Sequence, residues 1–153
     1  MPHGCAYRVG SPAHFALVTP ALARELGRVL ERFAREAGFD DGRPVAVSFR
    51  PGIFGHHRVG RASDVYGVGG VGLDEWKRRW DRAHAAGGAA VELERRRNLG
   101  WRLYAALRRY GRWARPPGYP VQLFGPWTRE EGPWTRISDR LLRAHRDHVH
   151  VAL

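Results

Sequence analysis

The segment GHHRVGRASD, residues 55–64, holds two side chains that can bind a metal ion. His57 and Asp64 lie seven positions apart, and Gly60 and Ala62 between them carry almost no side-chain bulk. A chain that brings two flanking ligands to one ion needs close backbone approach between them, which small residues allow. The pair alone is weak evidence, because single histidines and aspartates more often have structural roles. A metal site therefore requires a third ligand from elsewhere in the chain.

A second metal-capable motif lies in the sequence HRDHVHVAL, residues 145–153. Its polar and apolar residues alternate as in a β-strand, so His148 and His150 are expected to project from one face. A catalytic zinc ion takes three protein ligands of the histidine or carboxylate type and leaves one position open for water. His57, Asp64 and one of the two terminal histidines supply that set.

Helical and strand patterns surround the two motifs. A helix is predicted from Thr19, a capping residue followed by proline, to Gly38, which suits a left-handed C-terminal cap. Its apolar side chains recur at helical spacing and predict one buried face: Leu22, Leu26, Val29, Leu30 and Phe33. The remaining patterns predict a strand over Val45–Phe49, a short helix from near Asp74, a long helix from Ala89 to Tyr110, and a strand over Val121–Phe124. For two loop tryptophans, Trp127 and Trp134, core packing and ligand contact are both open.

Length and composition predict one globular domain. The 153 residues match the size of a single domain, and the hydrophobic fraction of 43% and charged fraction of 27% are typical of soluble proteins. No run approaches the roughly 18 uninterrupted apolar residues of a membrane span. The first residues lack a basic region followed by an apolar run, so we expect synthesis in the cytoplasm without a secretory signal. Cys5 is the only cysteine, which excludes a Cys-rich zinc site.

The chain is strongly basic, and almost all of its excess positive charge comes from arginine. It has 26 Lys and Arg against 15 Asp and Glu, a formal net charge of +11, and Lys77 is the only lysine. A charge of this size favours polyanionic partners: nucleic acid, an anionic membrane surface, or a bacterial wall that carries acidic polymers. The sequence has no helix-turn-helix, zinc-finger or aromatic RNA-binding signature, which argues against nucleic acid.

The first motif resembles that of a known family, the LAS metallopeptidases. This family includes D-alanyl-D-alanine peptidases, murein endopeptidases, phage endolysins of the L-alanyl-D-glutamate type and the hedgehog signalling domain. Its first motif is S-x-H-x-x-G-x-A-x-D, which this chain matches at His57, Gly60, Ala62 and Asp64. The chain departs from the motif at the leading serine, where Gly55 stands.

Two further matches follow in the order of the family. The second motif of the family is H-x-H near the end of the domain, which His148 and His150 match. The family also has an arginine at the end of the strand before the first motif, and Arg50 stands there in the sequence SFRPG. The matched region runs from Val45 to His150, so the resemblance covers most of the chain.

The resemblance implies a role for each matched residue. His57, Asp64 and His150 would bind one zinc ion per chain, and Arg50 would hold a carboxylate or carbonyl of the substrate. His145 stands five positions before the last ligand, where the murein endopeptidases have a further histidine. It would also contact the substrate.

The resemblance leaves two candidates for the general base, the group that accepts a proton from the attacking water. Some family members use an acidic residue three positions before the last ligand, which is Asp147 here. Others use the first histidine of the H-x-H motif, which is His148. Either a carboxylate or an imidazole can accept the proton and return it to the leaving amine.

The motifs and the resemblance together predict an α+β domain, in which a small, mainly antiparallel sheet carries a zinc site and is flanked by helices. We expect a monomeric zinc peptidase over residues 1–153, without a separate wall-binding module. It would hydrolyse an amide bond that involves a D-amino acid in peptidoglycan stem peptides, like an endolysin that reaches the wall after release or delivery. Anionic wall polymers would attract it through its positive charge.

Two alternatives come from other functional classes. The domain could keep its zinc ion as a structural element and act as a binding module, as the hedgehog resemblance allows, although Asp147 and Arg50 argue against this. The arginine excess could instead indicate a nucleic-acid-binding protein with incidental histidines. Metal analysis distinguishes a nucleic-acid-binding protein with incidental histidines from a zinc protein. A peptidoglycan assay distinguishes a zinc-containing binding module from an enzyme.

Overall fold

The structure, a computed structural model, describes residues 5–8, 18–38, 44–48, 55–117, 121–131 and 138–153. Three residues named in the sequence predictions lie outside these ranges: Phe49, Arg50 and Trp134. The helices and strands of the described part are β1 (Cys5–Arg8), α1 (Pro20–Ala37), β2 (Pro44–Ser48), α2 (Gly55–Arg58), β3 (Ala62–Val68), β4 (Val71–Gly72), α3 (Leu73–Ala86), α4 (Ala89–Arg97), α5 (Leu99–Tyr110), β5 (Leu123–Phe124), α6 (Thr128–Glu131), α7 (Asp139–Ala144) and β6 (Val149–Ala152).

The strands of the described residues form one antiparallel sheet. Its order is β1-β2-β3-β6-β5, and β4 pairs with the far end of β3. Strand β3 therefore lies between β2 and the C-terminal strand β6. Helices account for most of the remaining described residues, so the predicted α+β class with a small antiparallel sheet is confirmed.

Helix α1 begins and ends where the sequence predicts. Thr19 has extended backbone angles, and its Oγ1 accepts a hydrogen bond from the N–H of Leu22 at 3.4 Å. Pro20 occupies the first helical position, where its missing N–H costs no hydrogen bond. Gly38 follows the helix with φ 68°, a left-handed conformation that glycine adopts without strain. The predicted apolar stripe, from Leu22 to Phe33, is buried.

The hydrophobic core lies between one face of the sheet and helices α1, α3 and α5. Val65 of β3 and Val149 and Val151 of β6 are completely buried in it. Because neighbouring residues of a strand point to opposite faces, Asp64 and His150 project from the other face of the sheet. Burial of the valines therefore determines the side on which the metal-capable residues lie.

The prediction of one long helix from Ala89 to Tyr110 is wrong, because the chain breaks at Asn98 into α4 and α5. Asn98 has extended backbone angles, and its Oδ1 accepts a hydrogen bond from the N–H of Trp101 at 2.8 Å, which caps α5. Its Nδ2 donates to the carbonyl of Trp76 at 2.9 Å and to Glu94 Oε1 at 2.7 Å. The asparagine side chain thus competes with the helix backbone, and its tertiary partners stabilise the break.

The C-terminal strand is shorter than predicted: β6 begins at Val149, so His150 lies in the strand, whereas His148 precedes it. The remaining element predictions hold within small shifts. Strand β2 and helix α3 begin within one residue of their predicted starts, and β5 covers the second half of its predicted strand. Trp127 is completely buried and packs with the rings of Trp80, Trp101 and Tyr104, so its role is core packing. Among the residues that the structure describes, no helix combines the length and hydrophobicity that a membrane span needs.

Candidate metal centre

Three side chains from separate elements meet on the face of the sheet opposite the core. His57 comes from α2, Asp64 from β3 and His150 from β6. Asp64 Oδ1 lies 3.2 Å from His57 Nε2 and 3.0 Å from His150 Nδ1, and the two histidine nitrogens lie 3.1 Å apart. The ligand atoms all lie within 4.8 Å of one another, so this group could bind a metal ion. All three residues predicted as ligands are therefore brought together.

The sheet register explains why Asp64 and His150 meet. The two residues are direct partners in the antiparallel pairing of β3 with β6. Direct partners have Cβ atoms roughly 4.5–5.5 Å apart, so their side chains reach the same point above the sheet. A shift of one residue in this pairing would turn one of the two ligands toward the core.

A turn after α2 connects His57 to β3. The N–H of Gly60 donates to the carbonyl of His57 at 3.1 Å, and the carbonyl of Gly60 accepts from the N–H of Thr19 at 2.8 Å. Gly60 has φ 70°, a left-handed conformation that strains any residue with a side chain. Position 60 therefore needs glycine for its backbone conformation, and the small size of glycine also allows the close backbone approach that the motif predicts. Ala62 is 1% exposed at the start of β3, which agrees with the predicted need for little bulk.

Burial and hydrogen bonding act in opposite directions on the ionisable groups of the centre. Burial alone would raise the pKa of Asp64, but hydrogen bonds with His150 and His57 outweigh it and hold the pKa of the carboxyl well below its usual range. Burial lowers the pKa of His150, although its hydrogen bond with Asp64 acts against this. Asp64 is therefore an anion and His150 a neutral imidazole at neutral pH, and both groups bind metal in these protonation states.

The two candidate bases form a hydrogen-bonded pair beside the ligand group. His148 Nδ1 lies 2.8 Å from Asp147 Oδ1, and an ionised carboxylate can only accept, so the imidazole donates through Nδ1. His148 Nε2 lies 3.9 Å from Asp64 Oδ1. The side chain of His148 is 14% exposed and that of Asp147 is 56% exposed. Of the two candidates, His148 thus faces the ligand group, while Asp147 lies behind it toward solvent.

His145 lies next to this pair. Its ring centroid lies 4.9 Å from that of His148 and 5.6 Å from that of His150. Its Nδ1 lies 2.8 Å from the carbonyl oxygen of Leu141, so Nδ1 carries the proton and Nε2 is an acceptor in the neutral ring. Burial lowers the pKa of His145, which favours the neutral form.

Sequence reasoning misses two aromatic side chains of the centre. Phe124 of β5 is the direct partner of His150, and the two rings stack with centroids 5.8 Å apart. Tyr66 OH donates to Asp64 Oδ2 at 3.5 Å, and burial together with nearby carboxylates raises the pKa of Tyr66 to about 12. Tyr66 follows Asp64 by two positions in a strand and shares its face, a signal that the sequence does carry. Phe124 joins the centre only through strand pairing, which no local pattern indicates.

Two further histidines of the described residues, His56 and His84, lie outside the ligand group. His56 stands next to His57 but does not belong to the group. His84 Nδ1 lies 3.0 Å from the carbonyl oxygen of Trp80, and its ring stacks on that of Trp80. The substrate contact of Arg50 falls outside the described residues and stays a prediction.

No protein-family model, curated protein or solved structure matches this chain. The resemblance to the LAS metallopeptidases therefore stays a prediction from the motif residues. The structure adds the fold and the metal-capable group of His57, Asp64 and His150.

Proposed function

We propose that this protein is a zinc-dependent peptidase of bacterial peptidoglycan, similar to endolysins, which hydrolyses an amide bond involving a D-amino acid. The observation that carries the proposal is the convergence of His57, Asp64 and His150 beside the hydrogen-bonded Asp147–His148 pair. Metal-assisted hydrolysis requires a metal-binding group with an adjacent proton acceptor. The match of the same residues to the LAS motifs supports peptidoglycan as the substrate.

The donor set fits zinc better than magnesium or calcium. Imidazole nitrogens and carboxylate oxygens are the ligands of catalytic zinc, whereas magnesium and calcium prefer oxygen ligands alone. His57, Asp64 and His150 would hold one ion per chain and leave a fourth position open for water. When bound, zinc would lower the pKa of water from about 15.7 to about 7 and polarise the scissile carbonyl.

In this proposal His148 is the general base, and Asp147 orients it. The hydrogen bond from Nδ1 to Asp147 leaves Nε2 as the acceptor nitrogen, and Nε2 is the atom that faces the ligand group. The carboxylate of Asp147 also stabilises the imidazolium that forms when Nε2 accepts a proton. His148 would then return the proton to the leaving amine.

His145 and Arg50 are the proposed substrate contacts. The Nε2 of His145 can accept a hydrogen bond from a substrate N–H, because its Nδ1 proton is already engaged by a backbone carbonyl. Arg50 would bind a substrate carboxylate through its planar guanidinium, which forms two parallel hydrogen bonds where lysine cannot. The proposed carboxylate contact of Arg50 rests on the resemblance to the LAS metallopeptidases.

We further propose that the protein acts as a monomer on the wall. The ligand group is complete within one chain, so no second copy is needed to bind the metal. The formal charge of +11 would draw the protein to anionic wall polymers around its peptide substrate.

Digestion of purified peptidoglycan, followed by mass spectrometry of the released fragments, tests this proposal. The zinc-loaded protein should release fragments that identify one cleaved amide bond. His57→Ala should release none, because it lacks one of the three ligands. His56→Ala is the matched control, since it removes the neighbouring histidine that lies outside the ligand group, and it should remain active. Intact peptidoglycan after incubation with the zinc-loaded protein would contradict the proposal and favour the non-catalytic binding module.

A further inference from the structure

A pocket of about 400 Å³ lies between the C-terminal end of α5 and strand β5. Among the described residues, three arginines, three apolar residues and one glycine line it: Arg108, Arg112, Arg115, Trp113, Val121, Leu123 and Gly111. We call this site the arginine pocket. None of the residues that line it belongs to the metal-capable group or to the Asp147–His148 pair.

Acidic residues of the described part of the chain balance only part of the positive charge of the arginine pocket. No carboxylate is among the described residues that line the pocket, and none of its guanidinium groups forms a salt bridge with a described residue. Glu25 provides this partial balance: its Oε1 accepts from the backbone N–H of Arg112 at 2.7 Å, and the carboxylate also attracts the Arg112 guanidinium. The same carboxylate already pairs with Arg28 at 2.6 Å. The pocket therefore concentrates positive charge that is available to a ligand.

The wall of the pocket is held in a fixed position. Trp113 is 6% exposed, and its Nε1 donates to the carbonyl of Leu107 at 2.8 Å. A Cβ at Gly111 would lie 2.2 Å from the Trp113 ring, so only glycine permits this packing. The next residue, Ala114, donates its N–H to the carbonyl of Ala152 at 2.8 Å, which joins the segment to the end of β6. A preformed wall lowers the cost of ordering the site when a ligand binds.

Helix α5 offers a competing explanation for part of this charge. Cations near the last turn of a helix interact favourably with its unpaired carbonyl groups. Arg108 lies in the last turn of α5 and is explained in this way. Arg112 and Arg115 lie beyond the helix, so its dipole does not account for the convergence of all three.

The arginine pocket and the metal centre lie on opposite faces of the sheet. Leu123, which lines the pocket, and Phe124, which stacks on His150, are neighbours in β5. Neighbouring residues of a strand point to opposite faces. A ligand in the pocket would therefore leave the metal centre open to a peptide.

We propose that the arginine pocket binds phosphate groups of an anionic, phosphodiester-linked wall polymer and so holds the enzyme on its insoluble substrate. The planar fork of arginine donates two parallel hydrogen bonds to the oxygens of one phosphate, which makes arginine suited to phosphate recognition. The identity of the pocket as a phosphate site rests on its geometry and charge. The choice of a wall polymer as the source of the phosphate rests on the proposed function.

Binding of soluble poly(glycerol phosphate) by matched charge variants tests this proposal. The pocket variant carries Arg108→Gln, Arg112→Gln and Arg115→Gln. The control variant loses three exposed arginines that lie outside the pocket and form no salt bridge with described residues: Arg24→Gln, Arg35→Gln and Arg96→Gln. Both variants lose the same net charge, so a difference between them reports on the site and not on overall electrostatics. Thermal unfolding confirms that each variant folds.

The pocket variant should bind the polymer at least about tenfold more weakly than wild type, because three phosphate contacts are lost. The control variant should stay within about threefold of wild type, since exposed charges outside the site are largely screened at 0.15 M salt. Equal losses in the two variants would overturn the proposal and assign binding to diffuse charge. Tighter, pocket-dependent binding of duplex DNA at the same salt would overturn the choice of a wall polymer.

Cleavage of a small soluble muropeptide separates this proposal from the proposed function. Both arginine variants should cleave it at the wild-type rate, because the pocket lies on the opposite face from the metal centre. Pocket-dependent polymer binding without any cleavage by wild type would contradict the peptidase and still support the pocket. Wild-type cleavage with no difference between the variants in polymer binding would contradict the pocket and leave the peptidase intact.

Discussion

Asp64 links the candidate metal ligands to the proposed base. Its Oδ1 contacts both histidine ligands at 3.0–3.2 Å, while its Oδ2 accepts from the hydroxyl of Tyr66. Because the pKa of its carboxyl is lowered, Asp64 is already ionised at neutral pH and loses no proton when a metal binds. His148 Nε2 lies 3.9 Å from the same Oδ1. The proposed proton acceptor is thus close to the candidate metal-binding group and is not one of its three members.

This geometry predicts different outcomes for the two candidate bases. His148→Ala removes the proposed proton acceptor, so turnover of a soluble muropeptide should fall by roughly two to four orders of magnitude. Asp147→Asn keeps the acceptor and weakens only its orientation, so the loss should be smaller, about 10–100-fold. Elemental analysis should find wild-type zinc in both variants. A larger loss in Asp147→Asn than in His148→Ala would make Asp147 the base instead.

At the level of helices and strands, prediction succeeds where an element depends on its own residues. Thr19, Pro20 and Gly38 bound α1 as expected, because capping is decided by adjacent residues. The break between α4 and α5 depends on Asn98, whose side chain bonds to the carbonyl of Trp76, 22 positions earlier. Asn98 also caps α5 through the N–H of Trp101, which is a local signal, but asparagine occurs inside helices as well as at their ends. Its bonds to Trp76 and Glu94, which stabilise the break, form only in the folded protein.

Asn98→Ala should lower the free energy of unfolding by about 1–3 kcal/mol, which urea denaturation measures. The substitution removes the cap of α5 and the hydrogen bonds of a completely buried side chain with Trp76 and Glu94. Glu92→Ala, at an exposed position of α4, is the control and should change stability by less than about 0.5 kcal/mol. Unchanged stability in Asn98→Ala would mean that the break does not depend on this side chain.

Across the whole molecule, the candidate centre joins residues that are far apart in the sequence. His57 and Asp64 lie 93 and 86 positions from His150, and the pairing of β3 with β6 brings them together. The group of His57, Asp64 and His150 could be predicted, because the spacing of these residues matches the two sequence motifs. The sequence could not predict that His148 faces the ligand group while Asp147 lies on the solvent side of it. This arrangement depends on a side-chain hydrogen bond that forms in the folded protein. The arginine pocket is likewise a product of the fold, since net charge alone locates no site.

The zinc content of the purified protein is the most direct test of the central claim, that His57, Asp64 and His150 form one metal centre. Elemental analysis after zinc loading and dialysis should find about one zinc per chain in wild type and in the control His56→Ala. Alanine at any one of the three ligand positions should strongly reduce zinc content, because three protein ligands leave no redundancy. Full zinc occupancy in His57→Ala, or no retained zinc in wild type, would contradict the claim.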